Sequence, residues 1–402
     1  MSEYDPCYDL VVVGAGIQGS GVAQAAASAG YSVLLVDQYP EAACGTSSRS
    51  SKLIHGGLRY LESGEIKLVY ECLQERALLL QNAPELVKLV PFYIPVYRHS
   101  ARSALTIRAG LSLYALLSYL KPAGRFKQIK RADWHLLDGL QQTGLHKVFQ
   151  YFDAQTDDRR LTQSVIQSAC QQGAKVSYNN HFLGAELSQT ESDHPWQIRL
   201  SRQSVQARAL VMATGPWISD TLRQCTGQAQ TPLFEQPLPE VDLVAGTHII
   251  VRHQTTQGIY YVEAPQDKRA VFVMPWEHEG QMQTMIGTTE RLYHGDPAAI
   301  TATEDEIHYL QTVYEHYFGS QPERLDQFAG LRVLPRLQTV DNLSKRTRET
   351  ILATNTAHNL VGIYGGKLTS YRATADKVIQ QLTALPAAQP IKTKQLLLQP
   401  VT

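Results

Sequence analysis

Between residues 9 and 37 the apolar and polar positions predict a strand, a helix and a second strand. Leu10-Val11-Val12-Val13 is an unbroken apolar run of the kind carried by a strand buried on both faces. Gly14-Ala15-Gly16-Ile17-Gln18-Gly19 interrupts it as a turn. Ser20 to Ala29 reads as a helix of small residues ended by Gly30, and Ser32 to Val36 forms a strand closing on Asp37. Residues 65–81 predict a helix with Ile66, Val69, Leu73, Ala77 and Leu80 on one buried stripe. Residues 105–120, LTIRAGLSLYALLSYL, are apolar and bracketed by Arg102, Arg108 and Lys121. Their length suits a buried helix or one lying on a membrane surface better than one that spans it.

A strand near Phe149 to Phe152 leads into a helix from about Arg159 to Gln172. A later apolar strand, Ala209 to Ala213, meets Thr214-Gly215-Pro216-Trp217. From 245 to 290 the segments THIIVRH, IYYVEA, RAVFVMPW and QMQTMIGTTE follow one another as short strands, which predicts an antiparallel meander and a second domain. Thr303 and Glu306 form a capping box opening a helix that buries Ile307, Leu310, Tyr314 and Tyr317. A strand over Phe328 to Leu334 and a polar connector come next. The chain closes with a strand from Leu360 to Tyr364, the turn Gly365-Gly366-Lys367, and a helix from about Ser370.

Composition narrows the partners. The 402 residues carry 37 basic and 37 acidic side chains, so no overall field draws the chain to nucleic acid, and a bound anion must be held by a local cluster. The five cysteines are scattered with no CxxC, which argues for a reducing compartment and against a disulfide framework or a zinc site; no metal is expected. The first residues, MSEYDPCYDL, lack a basic n-region, so no signal peptide is expected.

The Gly14-x-Gly16-x-x-Gly19 turn lies after a strand and before a helix, the context in which this pattern binds a dinucleotide. Gly14 makes the tight turn, Gly16 lets a pyrophosphate approach the backbone, and Gly19 lets helix and strand pack. The helix N-terminus offers free N–H groups and the positive end of its dipole, and Asp37 stands where a ribose hydroxyl would meet a carboxylate. The N-terminal position of the fingerprint, the absence of a second one, and the strand ending in Ala213-Thr214-Gly215 favour FAD over a nicotinamide. In SSRSSKLIHGGLRYL, residues 47–61, backbone amides and hydroxyls can hold a diphosphate and a flavin, and Gly56-Gly57 is expected to let the backbone lie flat against the ring. Gly365-Gly366 would bring a helix N-terminus to the pyrimidine end of the flavin, with Lys367 pointing at a substrate anion.

GTSSRSSKLIHGGLRYLE, FDAQTDDRRLT, ATGPW, THIIV, MPWE with IGTTE, AGLR, RTRE and GGKLTSYR occur in an order that resembles the FAD-dependent glycerol-3-phosphate dehydrogenases, over about residues 9 to 380. The resemblance implies the two-domain α/β fold of the D-amino-acid-oxidase-like flavoproteins: a Rossmann-like FAD domain from residues 1–80, 150–225 and 340–402, and a substrate domain of antiparallel sheet plus helices from 81–149 and 226–339. It implies oxidation of sn-glycerol 3-phosphate at C2 to dihydroxyacetone phosphate by hydride transfer to flavin N5, with electrons passed to a quinone or, in an oxidase branch, to oxygen. Implied cofactor contacts are Gly14, Gly16, Gly19, Asp37, Thr46, Ser47, Ser48, Lys52, Leu53, His55, Gly57, Thr214, Gly215, Gly366, Leu368 and Thr369. Implied substrate contacts are Arg49, His248, Arg332, Arg348 and Lys367.

A phosphate dianion in a chain of zero net charge needs convergent cations, which Arg332, Arg348 and Lys367 can supply. His248 ranks ahead of His55 as acceptor of the hydroxyl proton, and a cation stabilising the developing alkoxide is the competing device, so His248, Arg332 and Lys367 are the expected catalytic set. The expected location is the cytoplasm, with peripheral contact on the inner face of the membrane and a homodimer both compatible with the family. Two substitutions depart mildly from the family: Gln18 and Asp37 stand where Asn and Glu are usual. The family's additional C-terminal helical domain, about a hundred residues, is expected to be absent beyond Thr402. Other readings are a related FAD oxidase or dehydrogenase acting on an amino acid or another hydroxy acid, and a flavin-binding protein with reduced catalysis.

Overall fold

The computed structural model describes residues 5–119, 124–188, 192–227, 233–234, 237–336, 349–386 and 389–401. Its centre is a parallel sheet in which Lys175–Ser177, Val33–Val36, Cys7–Val13, Ser204–Met212 and Leu360–Tyr364 lie side by side. Strands buried on both faces need continuous apolar runs, and Leu10, Val11 and Val12 are fully enclosed. The helix Ile17–Ser28 covers one face, flanked by Asp158–Gln171 and Tyr371–Gln381, so almost all of its length is buried. Only small residues fit there. A Cβ at Gly21 would press on the Tyr371 ring at 2.6 Å.

The second sheet carries, in order, Arg291–Tyr293, Val241–Val251, Gln281–Gly287, Ala270–His278, Ile259–Glu263, Val87–Tyr97, Leu145–Thr156 and Leu53–Ile54. Arg324–Pro335 runs antiparallel along Val241–Val251, which pairs His248 with Phe328 and Val244 with Arg332. The expected meander holds for the three strands from Ile259 to Gly287. Val241–Val251, however, pairs with the last of them rather than the first, and Ile259–Glu263 instead runs parallel to Val87–Tyr97, which makes the sheet mixed. The capping box is present as expected: the Thr303 side chain accepts from Glu306 N, and the helix Glu304–Phe318 buries Ile307, Leu310, Tyr314 and Tyr317.

Two helices depart from their apolar pattern. In Ile66–Asn82 the expected stripe gives way to a face holding Leu68, Val69, Cys72, Leu73, Glu75, Arg76 and Leu79, while Ile66 lies outside. The charged members face inward because each finds a partner: Arg76 pairs with Asp153, and Glu75 with Arg372 on the closing helix at 2.6 Å. Asp153 also accepts from the Tyr114 hydroxyl at 2.7 Å and from Gly56 N at 3.4 Å. Ala104–Leu117 is capped by Ser103 and buries Ile107, Leu111, Tyr114 and Ala115, but leaves Leu105, Leu116 and neighbouring Tyr119 exposed. Among the described residues no helix is long and apolar enough to cross a membrane. Lys121 lies outside the described residues.

The loop over residues 46–55 stitches the two sheets together. Thr46 Oγ1 donates to Leu331 O at 2.9 Å, Ser47 Oγ accepts from Ile17 N at 2.9 Å, and Ser51 Oγ meets His248 Nε2 at 3.0 Å. Lys52 holds it from below, with φ at +60° and its side chain turned inward. Its ammonium lies 2.6 Å from Asp158 Oδ1 and 2.6 Å from Ser48 O, and Asp158 Oδ2 accepts from Ser50 N at 2.9 Å. Trp276 and Phe328 cover the ammonium at 5.3 and 5.1 Å. Asp158→Ala should therefore leave a buried cation unpaired and cost about 3–5 kcal/mol in urea denaturation. The double variant Lys52→Met/Asp158→Leu should lose less. Equal losses would mean that the charges themselves are not what the loop depends on.

Candidate active site

A cavity of about 490 Å³ runs between the sheets from the carboxyl ends of the parallel strands to His248, Arg332 and Lys367. At its first end the fingerprint does what its glycines require. Gly14 has φ +108°, and a Cβ there would run into the carbonyl of Ala213, while a Cβ at Gly19 would run into the carbonyl of Gly14. The helix Ile17–Ser28 starts from Gly16 with no side-chain cap, so its positive end faces the cavity. Asp37 lines the same end; its Oδ2 accepts from Ala15 N at 2.5 Å and its Oδ1 from Tyr39 N at 2.9 Å. Burial raises its carboxyl above the usual carboxylate range, against the pull of the Tyr39 and Ala15 N–H groups.

At the other end the closing helix Tyr371–Gln381 stands beside the first. Gly366 has φ +113°, and a Cβ there would press on the Gln18 amide at 2.6 Å. Gln18 Nε2 in turn donates to Lys367 O at 3.2 Å, and Thr369 Oγ1 accepts from His55 N at 3.3 Å. Two helix N-termini and two glycine-lined approaches thus face one elongated cavity. This is a fit for a dinucleotide with a ring at its far end.

Of the residues expected to touch the cofactor, Gly14, Gly16, Asp37, Thr46, Ser47, Leu53, His55, Thr214, Gly215, Gly366, Leu368 and Thr369 line this cavity. Gly19, Ser48, Lys52 and Gly57 do not. Gly19 serves helix packing, and Lys52 is spent on Asp158. The flat approach expected of Gly56-Gly57 is replaced by protein packing: a Cβ on Gly56 would meet Leu73 and the Tyr114 hydroxyl, and one on Gly57 the Tyr60 ring. On the substrate side Arg49, His248, Arg332 and Lys367 line the cavity, and Arg348 lies outside the described residues. Lys367 Nζ sits 3.9 Å above the Tyr60 ring and 3.8 Å from Cys72 Sγ. Arg332 donates to Glu290 Oε1 at 3.0 Å and to Thr288 Oγ1 at 2.9 Å. Its head passes over Gly246, where a Cβ would meet Arg332 Nη2 at 2.6 Å.

His248 is 1% exposed, stacked on Phe328 with ring centroids 4.9 Å apart. Burial, and then the nearby Arg332 and Lys52 charges, push its pKa well below the ordinary imidazole value, so the ring is neutral. A second cavity of about 100 Å³ adjoins the first and shares His55, Tyr60 and Arg332 with it. Its further lining includes the rings of Phe92, Tyr151, Tyr261 and Phe272, and the charged groups of Arg59, Arg269 and Glu290. None of these three was singled out by sequence reasoning, although Arg59 lies in GGLRYLE and Glu290 in IGTTE. What joins them is strand pairing and loop placement between segments more than 200 residues apart in the chain. Among the described residues no cluster of His, Cys, Asp and Glu could hold a metal ion.

The family model for FAD dependent oxidoreductases, the DAO family, matches residues 9–378. The chain is 38% identical over 393 residues to a glycerol-3-phosphate dehydrogenase of Pseudomonas aeruginosa, covering 93% of this chain and 71% of that protein. It is 34% identical over 397 residues to the D-erythritol 1-phosphate dehydrogenase of Brucella abortus, covering 95% of this chain and 74% of that protein. The X-ray structure of the glycerol-3-phosphate dehydrogenase from Bacillus halodurans complexed with FAD superposes with a TM-score of 0.69 at 25% identity, covering 99% of this chain and 68% of that one. With the fingerprint, the two facing helix N-termini and the sheet topology already in place, these likenesses make FAD the cofactor. The chain belongs to the FAD-dependent glycerol-3-phosphate dehydrogenase family, within the FAD dependent oxidoreductases.

Proposed function

We propose that this protein oxidises sn-glycerol 3-phosphate at C2 to dihydroxyacetone phosphate and delivers the electrons to a quinone. The observation that carries this reading is the small aromatic chamber with three arginines opening onto the cofactor cavity at His55 and Arg332. Bound FAD supplies the acceptor for the hydride leaving C2. The chain's own residues do the rest. Aromatic walls exclude water from a three-carbon substrate, and Arg332, fixed by Glu290 and Thr288, orients it. Lys367 and Arg49 face the cofactor side, where a cation steadies negative charge developing on the substrate oxygen.

The hydroxyl proton needs an acceptor at the junction of the two chambers. His55 lines both, whereas His248 lines only the cofactor side and has its Nε2 against Ser51 Oγ. We therefore assign the proton to His55 and give His248 the role of a neutral, oriented ring beside the flavin. Because one relative is named for D-erythritol 1-phosphate, a four-carbon polyol phosphate is the second reading of the substrate. Exposed Leu105, Leu116 and Tyr119, with Arg108 on the same helix, support contact with the inner face of the cytoplasmic membrane, where a quinone is reached.

Anaerobic stopped-flow should show the bound flavin bleaching with millimolar sn-glycerol 3-phosphate, with D-erythritol 1-phosphate as the comparison; a flavin that stays oxidised with both sinks the assignment. Reoxidation should be faster with a quinone analogue than with oxygen. His55→Ala should slow bleaching by about 10²-fold or more, and His248→Gln should slow it far less. His248 also sets a pH dependence of stability. Its folded pKa lies below 6.5, so the unfolded chain binds the extra proton, and stability is lost as pH falls below about 6.5. The stability difference between pH 7 and pH 5 in urea denaturation should therefore shrink in His248→Gln.

A further inference from the structure

We propose that Tyr151 and Tyr261 hydrogen-bond a free hydroxyl of the polyol substrate and thereby select it over a counterpart that lacks that hydroxyl. This rests on the polyol-phosphate reading above and names the residues that would impose its hydroxyl specificity. The lining of the second chamber falls into two groups. On one side Arg332 donates to Glu290 Oε1 at 3.0 Å and Arg269 Nη1 to Glu290 O at 3.3 Å. On the other, four rings form an unbroken arc. Tyr151 lies 5.2 Å from Phe92, Phe92 6.2 Å from Phe272, and Phe272 5.2 Å from Tyr261, centroid to centroid. Strand register builds this arc: Phe92 stands directly opposite Tyr151, and Phe272 opposite Tyr261, so each pair shares one face of the sheet.

The arc ends in a phenol on each side. Neither hydroxyl has a hydrogen-bond partner among the described residues, although Tyr151 is only 4% exposed. Buried tyrosines nearby spend theirs on the protein. Tyr114 donates to Asp153 at 2.7 Å, Tyr260 to Asp138 at 2.8 Å, Tyr97 to Gln141 O at 2.6 Å and Tyr317 to Glu263 O at 2.6 Å. Tyr60, the third phenol of the lining, turns its ring face to the Lys367 ammonium and belongs to both chambers. An unpaired buried hydroxyl is costly, and a bound group that completes it recovers that cost. Burial, with the Asp153 carboxylate beside it, raises the Tyr151 phenol well above its ordinary range. Burial raises that of Tyr261 as well, against the pull of Arg102 and Arg59. Both therefore keep their protons at neutral pH and can donate as well as accept. An alcohol has the same two capacities, whereas a methyl group in its place would leave both phenols unpaired. His55 lines the junction of the chambers, so the carbon next to the one oxidised there extends toward the arc.

The test uses the FAD-loaded full chain with sn-glycerol 3-phosphate and the matching enantiomer of propane-1,2-diol 1-phosphate, which keeps the oxidisable hydroxyl and lacks the terminal one. In anaerobic flavin reduction the unaltered protein should prefer the first by about tenfold or more in limiting rate over half-saturating concentration. Tyr151→Phe and Tyr261→Phe keep the rings and should each cut that preference by about three- to tenfold, the scale of one lost neutral hydrogen bond. The double variant should retain little of it. No preference in the unaltered protein, or an undiminished one in the double variant, would overturn the inference. Urea denaturation without substrate gives a readout apart from activity. Tyr151→Phe should cost no stability, because its hydroxyl is unpaired, whereas Tyr114→Phe should, because Asp153 loses a donor. Equal losses would mean that the Tyr151 hydroxyl serves the protein, and the assignment would fall. Calorimetric titration with the same two compounds separates the inference from the reading beneath it. A tyrosine-dependent binding preference without flavin reduction by any polyol phosphate would leave the hydroxyl site standing and remove the oxidation. Reduction by sn-glycerol 3-phosphate that is indifferent to both tyrosines would do the reverse, and binding of neither compound would remove both.

Discussion

The ammonium of Lys52 and the carboxylate of Asp158 meet out of water beneath a loop that touches both sheets, and much of the site is suspended from that contact. Desolvating two opposite charges is costly unless their remaining hydrogen-bonding capacity is filled. Here Ser48 O takes a second ammonium proton, while Ser50 N and Arg159 N fill the carboxylate. The result fixes the backbone on either side of Lys52. Ser47 is held at the start of the fingerprint helix and Ser51 against His248, one on each wall of the cofactor cavity.

A second enclosed carboxylate does comparable work a few residues on. Asp153 gathers Arg76, the Tyr114 hydroxyl and Gly56 N, so the strand Leu145–Thr156, the helices Ile66–Asn82 and Ala104–Leu117 and the His55-Gly56 turn share one anchor. Glu75 and Arg372 extend the tie to the helix that begins beside the Gly366 end of the cavity. Rigid placement of His55 between the two chambers follows from these buried pairs more than from apolar packing of the turn itself. Fixed placement of this kind matters to chemistry at such a junction, since small displacements of reacting groups carry large rate penalties.

The chambers differ in how they treat charge. The cofactor cavity presents helix N-termini and backbone amides to a diphosphate, a diffuse arrangement of partial charges. The smaller chamber presents whole guanidinium charges, two of them set by Glu290. In a chain with equal numbers of acidic and basic residues, positive charge is concentrated in this way only locally, by geometry.

What the sequence determined alone are the features encoded within a few residues of one another. The Gly14-to-Gly19 turn with its flanking apolar runs, the Thr303–Glu306 capping box and the Gly365-Gly366 turn all depend on local backbone conformation and short-range periodicity, and each is where its pattern placed it. The tertiary structure decided whatever depended on a partner far along the chain. Lys52 looked like a cofactor contact because nothing near it shows that Asp158 waits beneath the loop. Gly56-Gly57 looked like a flat bed for a ring because Tyr114, Leu73 and Tyr60 are invisible as its neighbours. The buried face of Ile66–Asn82 escaped its hydrophobic pattern because Glu75 and Arg76 are made burial-competent by Arg372 and Asp153. Arg59, Arg269 and Glu290 become one site only when the loop after His55 is laid against the second sheet. Charge can be buried or pooled only where the fold brings its counterpart within a few ångströms, and that proximity is written in no single stretch of the chain.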